Sequence, residues 1–188
     1  MYLVVADENE FLQAIKEYMN DIFRPLAKDK EYVVLDQAIP ANYSGYATRY
    51  FEAVKVVNIE RDVRDVYIHL ITQEKRDGAI IGHIGPELNK TRNVDMFVDW
   101  FKKYRRLGLP GESLEIRFED LVFCYDETTK KILEYLDLPK EHHTMMRKYL
   151  QVEKSRKNIG LWKDYPNQDE IRQIEAKLPE YVYNEKYL

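Results

Sequence analysis

The chain has 188 residues, 45% hydrophobic and 33% charged, with a net charge of −4. That composition belongs to a folded protein, read as one domain over residues 1–188 with chain enough for a real core, and it argues against disorder. It also gives no long-range attraction to nucleic acid, so no nucleic-acid partner is expected, and no apolar run is long enough to span a membrane.

Met1 to Ala6 reads as a short strand or a leader, without the basic region and long apolar core of a signal peptide. Asp7 to Glu10 is rich in helix-start residues. Phe11, Leu12, Ile15, Tyr18, Met19, Ile22 and Phe23 then recur at helical spacing, which predicts an amphipathic helix that Pro25 ends or kinks. Glu31 to Leu35 is predicted as a buried strand, and Pro40 prevents its simple continuation. Asn42 to Phe51 is tyrosine-rich and is predicted as a short helix.

The stretch Val54 to Ile71 carries the strongest pattern. Val54 to Ile59 is β-branched and suits a buried strand, and Val66, Tyr67, Leu70 and Ile71 follow at helical spacing. Asp62 or Asp65 can cap that helix. Arg61 and Arg64 therefore sit where a strand hands over to a helix, the edge of an α/β sheet at which ligands bind. Free N–H groups with guanidinium groups beside them suit a phosphate.

Beyond it, Arg76 to Lys90 is predicted as a loop broken by Gly78, Gly82, Gly85 and Pro86. Asn93 can cap a helix bearing Val94, Phe97, Val98, Phe101 and Tyr104 on one face. Its late basic residues Lys102, Lys103, Arg105 and Arg106 read as a solvated helix end that complements the dipole. Leu114 to Phe118 alternates apolar and charged residues as a strand does. Asp126 is placed as the cap of a helix that Pro139 stops, and Glu141 to Leu150 as a further helix. Ser155 to Lys163 reads as a basic loop, Asn167 as the cap of a last helix through Leu178, and Tyr181 to Leu188 as an aromatic tail on the body. Strands alternating with helices predict a parallel sheet with helices on its faces.

Several chemistries lack support. His69, His83, His142 and His143 show no metal-ligand spacing, and no metal is expected. Cys124 is the only cysteine, so no internal disulfide forms; a single thiol suits a reducing, cytoplasmic compartment. No Gly-x-Ser-x-Gly elbow and no Gly-Lys-Ser/Thr phosphate loop is present.

Three segments, taken in order, resemble the sulfotransferase family. Val57 to Val66 (VNIERDVRDV) resembles its apolar strand, Arg-Asp-Pro-Arg-Asp turn and following helix. Leu114 to Leu121 (LEIRFEDL) is similar to its RYEDL strand end, and Leu133 to Pro139 to the helix ending written fLGLP. Ile159 to Lys163 (IGLWK) resembles its C-terminal GxW loop. The resemblance implies a P-loop-kinase-like, sulfotransferase-type α/β parallel sheet flanked by helices. It also implies metal-free transfer of a sulfuryl group from 3′-phosphoadenosine 5′-phosphosulfate to a hydroxyl or amine. Arg61 then matches the arginine on the donor's 3′-phosphate; read without the resemblance, Arg61 could instead pair with Asp65 or Glu60. His69 stands where the family has a serine on the same phosphate, and reads equally as a packed surface histidine; Arg156 matches a basic position of the C-terminal loop. The family's base is a Glu or His near the end of the preceding strand; Asp36 is the nearest match, with His83 second, and Asp36 reads equally as a turn-capping residue.

The family's glycine- and lysine-bearing 5′-phosphosulfate loop has no counterpart, because Met1 to Glu31 contains no glycine. The chain is accordingly expected to be either truncated at its N-terminus or a protein that has lost donor activation. The alternative is a non-catalytic nucleotide-binding or protein-interaction module on the same fold. Tyr43, Tyr46 and Tyr50 can line an acceptor pocket or pack in a core.

Overall fold

A computed structural model describes residues 7–28, 30–36, 45, 49–72, 92–106, 113–145 and 148–183. They fall into two compact units: Met1–Asn58 with Arg106–Leu114, and Ile59–Arg105 with Glu115–Leu188.

In the first unit, helix α1 (Glu8–Ala27) begins where expected, with the Asp7 carboxylate accepting the Asn9 N–H at 2.9 Å. Pro25 lies inside the last turn and does not stop it. Arg49 pairs with Glu8 at 2.5 Å, and Phe51 meets Phe23 with ring centroids 5.8 Å apart. Glu31 to Leu35 is not the expected buried strand. The segment forms no strand, and Val34 is 88% exposed. β-branched composition makes a strand only when the backbone finds a partner, and the described strands pair with each other instead. Of the helix expected over Asn42 to Phe51, Gly45, Arg49 and Tyr50 are helical, while residues 42–44 and 46–48 lie outside the described residues. So do the loop expected at Arg76 to Lys90, His83, Tyr43 and Tyr46.

Strand β1 (Val56–Glu60) pairs with β2 (Ser113–Arg117) in a parallel two-stranded sheet. Asn58 is buried on β1, and its amide donates to the Ser113 hydroxyl at 3.3 Å.

The second unit holds the core. Helix α2 (Val63–Thr72) follows β1 directly. Helix α3 (Val94–Arg106) starts at Asn93, whose side chain accepts the Met96 N–H at 3.0 Å. The helical spacing read from the sequence becomes burial: Val63, Tyr67, Ile68, Leu70 and Ile71 of α2 cluster with Val94, Phe97, Val98 and Phe101 of α3. Ile171 and Ile174 close this cluster from a last helix, joined by Leu178 just after it. Burying each such side chain stabilises by about 1.5–3 kcal/mol.

After β2 the chain differs from the expectation of one helix capped by Asp126. Helix α4 (Phe118–Phe123) begins at once, and α5 (Tyr125–Tyr135) follows it. Asp126 lies within the first turn of α5. The corner is tied instead by the Thr128 hydroxyl donating to the Asp120 carbonyl at 3.1 Å. Glu141 to Leu150 is not an α-helix: Lys140–His142 is a single 3-10 turn. Met145 and Tyr149 are exposed there, so no buried face repays helix formation. The expected basic loop contains a short helix α6 (Val152–Arg156) and a 3-10 turn, Leu161–Asp164. Helix α7 (Gln168–Lys177) starts after Asn167 as expected, but Asn167 donates to Glu170 rather than capping the backbone.

Candidate functional site

The turn from β1 to α2 uses nearly every polar atom it has. Asp62 is the N-cap: one oxygen accepts the Arg64 N–H at 2.8 Å, and its carbonyl accepts the Val66 N–H at 3.0 Å. The Asp62 N–H donates to Glu119 at 2.8 Å, and the Asp62 carboxylate accepts the Tyr183 N–H at 3.0 Å. Arg64 is buried. It forks onto Asp62, reaches Glu175 at 2.7 Å and lies 3.7 Å above the Trp162 ring. Burial works against its charge, but Asp62 and then Glu175 outweigh it and hold the guanidinium above its ordinary pKa. Arg64 is therefore structural, a saturated ion pair inside the fold.

Asp65 is also fully buried. Its two oxygens accept backbone N–H groups of Gly160 at 2.8 Å and Trp162 at 3.3 Å. Gly160 has φ 77°, a left-handed conformation that glycine adopts without a Cβ penalty. Burial pushes the Asp65 carboxyl up, against the Gly160 bond and the charge of Arg61. Burial likewise raises Glu119, whose second oxygen has no hydrogen-bond partner and lies 3.8 Å from Arg117 Nε.

Arg61 is placed differently. One terminal nitrogen donates to the Asn158 carbonyl, the guanidinium lies 5.9 Å from the Phe118 ring centre, and the buried Nε has no hydrogen-bond partner. It forms an ion pair with neither Asp65 nor Glu60; Glu60 meets Arg117 at 3.5 Å. A strand-to-helix turn thus presents one arginine that forms no ion pair among the described residues, beside the loop that carries Gly160 and Trp162.

A model described as the sulfotransferase family matches residues 4–142. The chain belongs to the sulfotransferase family. No curated protein and no solved structure matches it. Membership implies a sulfate-donor co-substrate and an acceptor. The matched span includes the Arg61 turn and the β2–α4 corner of this sulfotransferase-family chain; the Gly160 loop follows it.

The remaining residues singled out in the sequence are scattered in character. Arg156 is exposed at the end of α6, 5.6 Å from the Phe123 ring centre. It lies two residues before Asn158, whose carbonyl Arg61 binds. His69 is exposed in the last turn of α2, six residues and about 9 Å along the helix from its first residue, Val63, at 1.5 Å per residue. Asp36 is an exposed residue of the first unit, and its assignment rests on its place in the sequence. Among the described residues, no cluster of His, Cys, Asp or Glu is placed to hold a metal, and no helix is long and apolar enough to cross a membrane.

Sequence reasoning missed Asp65, Glu119 and Tyr183 as parts of this assembly. Tyr183 donates its hydroxyl to Asp120 at 2.7 Å, and its carbonyl receives Arg64 at 3.4 Å. Their partners lie 57 to 121 residues away, so no local pattern announces them. The only signal was the repeated Arg-Asp pair, which supplies more carboxylates than a helix needs for capping.

Proposed function

We propose that this chain binds the adenosine 3′-phosphate end of 3′-phosphoadenosine 5′-phosphosulfate and serves sulfuryl transfer to a hydroxyl or amine acceptor. The observation that carries the reading is Arg61: a guanidinium whose buried Nε has no hydrogen-bond partner and whose one hydrogen bond goes to the Asn158 carbonyl. A buried N–H left unsatisfied costs about 1–3 kcal/mol, and a phosphate oxygen would satisfy it with a charge-assisted bond. Arg156 and His69 are proposed as further phosphate contacts, and the two described strands as part of a P-loop-kinase-like sheet. During transfer the acceptor oxygen or nitrogen bonds to sulfur as the bond from sulfur to the phosphate oxygen breaks. The acceptor's proton goes to a base, for which Asp36 is the candidate.

Calorimetry with adenosine 3′,5′-bisphosphate tests the binding. Heat saturating below millimolar ligand is expected, and none from folded protein at millimolar ligand overturns the reading. Arg61→Ala should weaken binding by about 2–5 kcal/mol, the scale for deleting one partner of a buried charged pair. Asp36→Asn should abolish transfer and leave bisphosphate binding intact.

A second reading, a nucleotide-binding or protein-interaction module without transfer, is favoured by one feature: the first glycine of the chain is Gly45. A glycine-free segment offers no close backbone approach to a 5′-phosphosulfate. Bisphosphate binding without donor turnover across hydroxyl and amine acceptors would select it.

A further inference from the structure

We infer that Asp65 is the positioning residue of the proposed phosphate site: it holds the loop from Arg156 to Trp162 so that Arg61 and Arg156 face one anion. The inference rests on the 3′-phosphate reading given above.

Asp65 makes no ion pair among the described residues. Both its oxygens are spent on loop amides, Gly160 at 2.8 Å and Trp162 at 3.3 Å. The loop between is a chain of turns: the Asn158 N–H reaches the Ser155 carbonyl at 3.0 Å, Ile159 the Arg156 carbonyl at 3.1 Å, and Lys163 the Gly160 carbonyl at 3.0 Å. Fixing Gly160 therefore fixes Asn158, whose carbonyl Arg61 binds, and Arg156 two residues earlier. The two guanidinium groups also share a base. Arg61 lies by Phe118 and Arg156 by Phe123, the two ends of the six-residue helix α4. Five residues of helix separate those rings by about 7.5 Å along the axis, within the span that two long side chains close around a phosphate.

A purely structural role would make Asp65 the anchor of the whole loop, and it is not. Trp162 is held independently by Arg64 over its ring at 3.7 Å and by Gln168 donating to its carbonyl at 2.9 Å. Loss of Asp65 leaves that end fastened and frees the Gly160 end, next to the Asn158 carbonyl that Arg61 binds.

The test compares two ligands, adenosine 3′,5′-bisphosphate and adenosine 5′-monophosphate, on the wild-type chain, Asp65→Asn and Asp65→Ala. Asp65→Asn keeps the shape and one acceptor of the carboxylate, and Asp65→Ala removes both. The variants should bind the bisphosphate roughly tenfold more weakly, the scale of coupling between neighbouring residues, with monophosphate affinity changed less than about twofold. Arg156→Ala should then cost less in the Asp65→Asn background than in the wild type. Undiminished preference for the bisphosphate in Asp65→Asn overturns the positioning role, as does equal weakening for both ligands. A wild-type chain that does not prefer the bisphosphate overturns the 3′-phosphate reading itself, before any variant is compared.

Discussion

In the first unit, the 20-residue helix Glu8–Ala27 buries none of its residues, and Phe11, Tyr18 and Leu26 are each more than half exposed. In the second, the 10-residue helix Val63–Thr72 buries seven, among them Arg64 and Asp65. Both helices carry an apolar stripe at helical spacing, so the pattern that makes a helix does not decide what the helix covers. What differs is the company. The α2 stripe meets α3 and α7, and its charged first turn meets Glu119, Glu175, Gly160, Trp162 and Tyr183. Charge is tolerated in the interior there because almost every oxygen and nitrogen is matched. Three buried atoms there have no hydrogen-bond partner, Arg61 Nε, Glu119 Oε2 and Trp162 Nε1, and of these only Arg61 Nε belongs to a cation.

The largest effect that would break this contrast is removal of Arg64. Arg64→Ala leaves Asp62 buried without its main counter-ion and takes the cation from the Trp162 face. Breaking such a pair costs about 3–5 kcal/mol, read as a lowered urea midpoint. A loss under about 1 kcal/mol would mean that water already reaches the cluster. Arg61→Ala sharpens the same point from three residues away. It removes no ion pair, so stability should change by less than about 1 kcal/mol while bisphosphate affinity collapses. Two arginines in one turn then separate cleanly, one measured by denaturation and one by titration.

How much of this was legible depends on the distance between partners. The Asn93 cap and the Asp62 cap were readable because a cap and its amide are two or three residues apart. The strand Val56–Glu60 and the helices Val94–Arg106 and Gln168–Lys177 were readable from apolar spacing. The strand expected at Glu31 to Leu35 failed because β-branched composition is silent about the partner a strand requires. The helix expected at Glu141 to Leu150 failed because nothing in its sequence says that Met145 and Tyr149 face solvent. At the site, Arg61 and the Gly160–Trp162 loop were each legible as fragments of a family pattern. That Asp65 joins them across 95 residues was not, because an aspartate in a first turn reads equally well as a cap.

A smaller effect probes the buried carboxylates through pH. Burial raises both Asp65 and Glu119, so the folded chain holds these protons to higher pH than the unfolded chain does. From about pH 4 upward, the ordinary range of these acids, their contribution to stability is therefore lost as pH rises through the folded values. Asp65→Asn removes one of the two groups. Its urea stability should fall less steeply with rising pH than that of the wild type over the same interval. Parallel curves would mean that the Gly160 and Trp162 amides and the Arg61 charge fully offset the burial of Asp65.

The smallest effect belongs to the first unit. Phe11→Ser and Leu26→Gln alter side chains that are 57% and 63% exposed, and an exposed apolar residue gives up little when it becomes polar. Each should shift stability by no more than about 0.5 kcal/mol, against about 3–5 kcal/mol for Phe97→Ala in the second unit, where the ring is fully buried against Tyr67 at 5.1 Å. The ratio matters more than either number. Equal losses would mean that α1 packs against something in solution as thoroughly as α3 packs on α2. A ratio near tenfold would mean that α1 holds its form through its Asp7 cap and its own helical bonds, and that the stability of this chain resides around the buried charges of the second unit.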